Sequence, residues 1–563
     1  MADTVIETIK LPLSWEWSDH TPIEHIVMQQ VFDAIVVGSG AAGSWAAKEL
    51  TEGGFNVVLV EAGRAINPEQ DFVSHPGSAA LSDRIIAGIR GQYVQMYCSA
   101  FNSRTQHFFV NDRRDVYTTP RGKPFLWIRG RQLGGRLHTW FRHTPRVSDY
   151  QFIPDDDATD DRRWPLTHEK LGPYYTRVER TLGVCGRRDA IPNVPDGDFV
   201  QAPPLSPFEE QFCQRVSTRI PGIHVTPARN MVHNPLRIPI PILVAQKTGR
   251  LRIETDTIVR SVLIDSNSGK ARGVLALDRE SMEYREILGK IVILCASAFE
   301  SVRILLNSSC SSHPLGVGGD SGNLGRYISD HISAGIGGDV TNDLRNYELL
   351  TPSNRDAYDF APTRLYIPCS HDRSERRDLI GGYGIQLGFD SWDQGKIVTW
   401  WMTSFGEMLP RYSNRVTISR DKTDAWGIPA AHIECTHSDN DVRMFKHMIE
   451  KMTEIAKIAG LNLPKGTWLD SFRHNLLYRR YLTSEGLRCP GFSIHECGGA
   501  RMGANPRTSV VNEFCQIWDC DNVFVTDGAS FPYIPFPNHT LTIMAITVRA
   551  CDFILREYKN CLS

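Results

Sequence analysis

The chain has 563 residues, with 62 lysines and arginines against 64 aspartates and glutamates, so its formal net charge is -2. That balance excludes nucleic acid or an anionic membrane as a partner chosen by global charge. Hydrophobic residues at 41% and charged residues at 22% describe an ordinary soluble globular chain and exclude disorder for most of it, and the length implies more than one domain.

The opening MADTVIETIKLPLSWEWSDH lacks a basic stretch followed by an apolar core, so no secretory signal is read. The apolar runs Ala34–Gly38 and Ile291–Ala296 are too short to span a bilayer. Thirteen cysteines without a CxxC pair read as scattered thiols in a reducing compartment. The expectation is a cytoplasmic protein without membrane insertion, and no metal site is expected.

The first clear element is FDAIVVGSGAAGSWAAKELTEGGFNVVLVEAGR. Ala34 to Val37 read as a buried parallel strand, a helix runs through Leu50, and Val57 to Val60 form a second strand ending at Glu61. Between strand and helix, Gly38 permits the tight turn, Gly40 lets a phosphate approach the backbone, and Gly43 lets helix and strand pack closely. Amides at the helix start suit a pyrophosphate, and Glu61 is placed to accept from ribose hydroxyls.

Residues 74–121 read as an irregular excursion over a cofactor or an oligomer contact. The segment FLWIRGRQLGGRLHTWFRHTPRV, residues 125–147, mixes glycine turns with five arginines but has no nucleic-acid-binding context. Asp155–Asp161 reads as a solvated loop, and the prolines between Pro192 and Pro241 read as a second long excursion. Strands are expected at Leu251–Thr255, Ile258–Ile264, Ala271–Leu277 and Lys290–Cys295. The last would rejoin the early sheet, followed by a helix to Leu306. An amphipathic helix is read from Asp439 to Ala459, a strand at Val523–Val525, a turn at Asp527-Gly528 and a closing helix over Leu541–Leu555.

Taken together, these motifs resemble the glucose–methanol–choline oxidoreductase family over nearly the full length. VVGSGAAGSWAAKEL with VLVEAG is similar to its amino-terminal FAD site, RGRQLGGR to its second flavin-contacting loop, and GFSIHECGGARMG through TDGASFP to PNHTLTIMAI to its carboxy-terminal signature. The resemblance implies a Rossmann-like FAD-binding domain interleaved with an α+β substrate domain carrying a mostly antiparallel sheet. FAD-binding parts are expected at 30–150, 246–330 and 491–563, a substrate or lid excursion at 151–245, and the substrate domain at 331–490.

By the same resemblance, His495 and Asn538 face the reactive end of the flavin. A neutral imidazole is suited to taking a hydroxyl proton near pH 7, so His495 is the expected general base. Asn538 would donate to the substrate oxygen, and hydride would pass to flavin N5. His539 stands where the family usually has proline and competes with Asn538 for that role, and Asn538 also suits a helix cap. Gly134 and Gly135 resemble residues that let backbone approach the flavin. Asp527 and Gly528 resemble those beside its ribityl and phosphate groups. Thr540 would start a helix pointing donors at the flavin's N1/C2 side. Arg129 and Arg131 would neutralise phosphate or form structural ion pairs, and Arg501 shares that ambiguity.

In pyranose oxidases a Thr-His-Trp histidine can carry the flavin covalently. Aligning the tryptophans puts Thr139 rather than His138 there, so noncovalent FAD is expected. The segments HTPRVSDYQF, RRWPLTHEKLGPYYTRVE, LGRYISDH and SFGEMLPRYSNRVTIS resemble the pyranose-oxidase-like and bacterial sugar-dehydrogenase branch. They imply a sugar, glycoside or cyclitol oxidised at a secondary carbon. The alternatives are a non-sugar alcohol and a non-catalytic flavin scaffold. The electron acceptor stays open between oxygen, quinone and a redox protein, with dehydrogenase preferred over oxidase. A homo-oligomer or a small accessory subunit is compatible with the reading.

Overall fold

The computed structural model describes residues 30–72, 81–153, 163–232, 234–339, 363–369, 379–390, 399–463 and 479–562. Its elements fall within one unit, Val31–Ser563. Asp155–Asp161 lies outside the described residues.

The first sheet grows from β1 (Val31–Val37), whose residues Ala34, Ile35 and Val36 are fully buried. A strand covered on both faces can be continuously apolar, which is the pattern that marked it in the sequence. The polypeptide then enters helix α1 (Ala41–Glu52) and returns as β2 (Val57–Val60), parallel to β1. Helix α1 packs against the closing helix Thr540–Leu562 and the helix Ile240–Lys247.

The sheet's next four strands in chain order are β3 (Leu251–Glu254), β4 (Thr257–Ile264), β5 (Ala271–Asp278) and β6 (Tyr284–Leu294). The order across the sheet is β3-β2-β1-β6-β5-β4, with Val523–Val525 also pairing β6. The last expected strand of this series is therefore longer than Lys290–Cys295, and for a clear reason. Its first half, Tyr284 to Leu288, pairs antiparallel with β5, while Val292 to Leu294 pair parallel with Val523–Val525. Only the second half is buried on both faces.

A second, antiparallel sheet contains β7 (Ile332–Asp339), β8 (Leu365–Cys369), β9 (Tyr383–Asp390) and β10 (Thr399–Gly406) in the order β7-β10-β9-β8, with Thr226–Pro227 at the far edge. Helix α2 (Asp439–Ala459) covers it, begun by a capping box from Ser438 to Asp441 and stopped by the left-handed Gly460. The expected irregular stretch between Pro192 and Pro241 contains a helix, Pro207–Arg219. Pro207 is its first residue, and Ser206 and Glu209 form a capping box, so that proline starts structure rather than breaking it. The closing helix also runs beyond Leu555, to Leu562. One continuous apolar cluster joins both sheets.

Candidate active site

A cavity of about 1610 Å³ runs between the sheets, lined at one end by Gly38 to Ala42 and Glu61 and at the other by His495, Asn538 and His539. This volume exceeds that of an ordinary single-ligand pocket and accommodates a dinucleotide with a substrate beside it.

The glycine turn divides its work. Gly38 has φ of +94°, and a Cβ there would lie 2.5 Å from the Cys295 carbonyl oxygen. A Cβ on Gly43 would lie 1.7 Å from the Gly38 oxygen, so Gly43 serves helix–turn packing and does not line the cavity. Gly40 lines the cavity, and a Cβ on it would meet no protein atom within 4 Å. That open space at the start of α1 fits a pyrophosphate, which needs close backbone approach and helix-start donors.

Glu61 accepts from the Ser39 amide and hydroxyl and from the Gly63 amide. Burial pushes its carboxyl above the ordinary range against those hydrogen bonds. The Ser39 hydroxyl oxygen in turn accepts from the Gly134 amide. Gly134, at φ of +92°, serves this turn, whereas Gly135 lines the cavity.

Arg129 and Arg131 reach the cavity wall but spend their charge locally. Arg131 lies 2.7 Å from Asp115 and 3.4 Å from Glu300, while Arg129 donates to the Asp115 carbonyl and covers the Trp127 ring. Arg501 stacks on Tyr327. Asp527, Gly528 and Thr540 line the cavity. The Asp527 carboxyl accepts from Ser301 and the Ala529 amide, and burial pushes it up to about 6.

At the other end, the Asn538 amide nitrogen lies 3.4 Å from His495 Nε2. His495 Nδ1 lies 2.8 Å from His331 Nδ1, and His331 Nε2 lies 2.8 Å from the Pro535 carbonyl. His539 sets its ring edge-on to His495 at 5.0 Å between centroids. The three imidazoles bring ligand atoms within 4.8 Å of one another. Burial holds His495 and His539 well below the ordinary histidine range, helped by mutual repulsion and by Arg136, and lowers His331 to about 4. All three are therefore neutral at pH 7. Arg136 is itself paired with Glu496 at 3.0 Å.

His495 sits on a strained loop, since the preceding Ile494 has φ of +62°. Asp330 holds that loop. Its carboxylate accepts from the amides of Gly491, Ser493 and His495 at 2.8, 3.1 and 2.9 Å. On the other side of the pair, Asn538 Oδ1 accepts from Gln386 Nε2 on β9 at 2.6 Å, so the Asn538 side chain faces His495 and Gln386. The sequence reading did not single out Asp330, His331 or Gln386 as site residues. His331 is 164 residues from His495 and Gln386 is 152 from Asn538, so only the tertiary fold joins them.

A dinucleotide turn, a cavity of this size and a neutral histidine–asparagine pair at its far end define an FAD-dependent oxidoreductase acting on alcohols. The chain matches models described as GMC oxidoreductase over residues 241–333 and 410–547. It is 26% identical to 2-methyl-1,2-propanediol dehydrogenase of Mycolicibacterium austroafricanum, over 94% of this chain and 96% of that protein. It is 23% identical to the fructose dehydrogenase large subunit of Gluconobacter japonicus, over 94% of this chain and 98% of that one. The fold is shared with pyridoxine 4-oxidase from Mesorbium loti, at a TM-score of 0.63 and 19% identity, over 94% of this chain and 99% of that one. Among the described residues no helix is long and apolar enough to cross a membrane.

Proposed function

We propose that the protein oxidises a secondary alcohol on a sugar, glycoside or cyclitol to a ketone. The observation that carries this reading is the His495–Asn538 pair, whose facing nitrogens lie 3.4 Å apart at the cavity wall. A hydroxyl oxygen set about 3 Å from both nitrogens completes a triangle on that base. The hydroxyl donates its proton to His495 Nε2, and Asn538 donates to the oxygen as negative charge develops. Bound FAD supplies the acceptor for the hydride that leaves the alcohol carbon. Asn538 is preferred to His539 as the donor because its amide nitrogen already faces His495 Nε2 at 3.4 Å, whereas the His539 ring meets the His495 ring edge-on at 5.0 Å between centroids.

The sugar assignment draws support from β10 and its neighbour β7. Trp401, Thr403 and Phe405 alternate along one face of β10 and line the cavity. Opposite Trp401 stands Gly337, and opposite Thr403 stands Gly335, so β7 leaves the indole and hydroxyl uncovered. An aromatic plane beside hydroxyl and amide groups suits a polyhydroxylated ring. The likeness to fructose dehydrogenase agrees with it and supports a dehydrogenase with a small accessory subunit. The likeness to 2-methyl-1,2-propanediol dehydrogenase favours a second reading, a small aliphatic diol.

Residues 30–150, 246–330 and 491–563 would carry the FAD, 331–490 the substrate, and 151–245 the excursion between them. Noncovalent FAD is supported by His138, which is committed to the Leu133 carbonyl at 2.7 Å and stacked on Phe108, away from the cavity wall. The free thiols of the described cysteines support a cytoplasmic setting. The test is anaerobic flavin absorbance of the FAD-bound protein against sugars, glycosides, cyclitols, diols and simple alcohols. Bleaching by a sugar class supports the proposal. Bleaching only by diols selects the second reading, and no bleaching by any compound overturns both.

A further inference from the structure

The hydrogen bonds around His495 have only one consistent direction. A backbone carbonyl accepts and never donates, so the contact from His331 Nε2 to the Pro535 oxygen places a proton on that nitrogen. His331 is neutral, which leaves its Nδ1 a bare acceptor facing His495 Nδ1 at 2.8 Å. Two bare nitrogens would repel, so His495 carries its proton on Nδ1 and presents a lone pair on Nε2. The Asn538 amide nitrogen faces that lone pair.

The same polarity continues beyond the pair. Asn538 Oδ1 accepts from Gln386 Nε2, and Gln386 Oε1 accepts from the Thr363 hydroxyl at 3.0 Å. Turning the Asn538 amide over would require a proton on His495 Nε2, then one on His331 Nδ1, and would leave bare His331 Nε2 against the Pro535 oxygen. The single carbonyl that cannot turn over therefore fixes every group in the series.

We infer that His331 is a positioning residue that sets the tautomer of His495, so that the nitrogen offered to the substrate hydroxyl is always the bare one. The inference rests on His495 acting as the base. It gives His331 a second task during turnover. When His495 gains a proton on Nε2, its Nδ1–H becomes part of a cation, and His331 Nδ1 is the acceptor for that strengthened hydrogen bond. Around His495 the other ionisable neighbours are His539, Arg136 and His143. Arg136 is already engaged by Glu496, and the Asp330 carboxylate is engaged with backbone amides. Neither occupies the place of His331.

The test uses the full-length FAD-bound protein with ¹⁵N-labelled histidine, His495 being assigned among the 18 histidines by difference against H495Q. In the unaltered protein, His495 is expected to be protonated on Nδ1 and bare on Nε2; protonation on Nε2 overturns the inference and needs no variant. H331L, which removes the acceptor, is expected to slow anaerobic flavin reduction roughly 10- to 100-fold, the worth of one hydrogen bond to a charged group, with little change in substrate affinity. H331N restores an acceptor near the Nδ1 position and should recover most of the rate and the original tautomer. Equal slowing in both variants with an unchanged His495 tautomer assigns His331 a merely structural role and overturns the inference. Full-rate reduction by H495Q sinks the general-base reading itself, a separate failure.

Discussion

Alanine at Gly40 and alanine at Gly43 probe the cofactor site from opposite sides of one turn. A Cβ on Gly40 meets nothing within 4 Å, and the residue's φ of -70° is open to any L side chain. G40A should therefore change the stability of the cofactor-free protein by less than about 0.5 kcal/mol. Its methyl group, however, stands in the space that a pyrophosphate must enter. Relieving such an overlap costs about 1–3 kcal/mol, so FAD should bind roughly 5- to 150-fold more weakly.

G43A reverses the pattern. Its Cβ would fall 1.7 Å from the Gly38 carbonyl oxygen and 3.3 Å from Cys295 Cβ, so α1 has to lift from the turn. The expected cost is about 3 kcal/mol in folding stability. Thermal melts of the cofactor-free proteins, paired with FAD titrations followed by flavin fluorescence, separate the two effects. Unchanged FAD affinity in G40A would refute the placement of the pyrophosphate. An unchanged melting temperature in G43A would refute the packing of α1 on the turn.

The neutral state of His495 makes a pH prediction. Because burial holds it well below 6.5, the base stays unprotonated as pH falls through the ordinary histidine range. Burial and the Glu496 charge push the neighbouring Asp330 carboxyl up to about 7, so its protonation falls in this window and is absent in D330N. In D330N the remaining flavin reduction should be level from about pH 8 to pH 6; a half-maximal rate near the unperturbed histidine value of about 6.5 contradicts this. D330N sets an amide group against at least one buried N–H of the His495 loop, at about 1–3 kcal/mol. Lower thermal stability and slower flavin reduction are expected, and a wild-type melt with wild-type reduction would show that Asp330 does not hold the loop. Acid precipitation should release all FAD into the supernatant, and flavin retained in the pellet would contradict noncovalent binding.

The parts of the molecule readable in the sequence are those whose physics is local. The turn from β1 into α1 needs particular glycines within a few residues, and the buried strands are short continuous apolar runs. Helix α2 showed its full extent because its apolar spacing and its Ser438 cap are both local signals. The first half of β6 was missed because antiparallel pairing with β5 allows Arg285 and Glu286 between its apolar positions. Helix Pro207–Arg219 was missed although Ser-Pro-Phe-Glu carries its own start signal, because proline was weighed as a breaker. His331, Gln386 and Asp330 had no local mark. Each acts through a partner more than a hundred residues away, and a side chain's partner at that distance follows from sheet order rather than from spacing.

The central claim is that His495 takes the hydroxyl proton during alcohol oxidation. Its most direct test is anaerobic single-turnover flavin reduction by FAD-loaded H495Q beside the unaltered protein, using whichever alcohol bleaches the latter. The account predicts that H495Q retains FAD and slows roughly 100- to 10,000-fold, the usual worth of a positioned base. Reduction at the unaltered rate would contradict it.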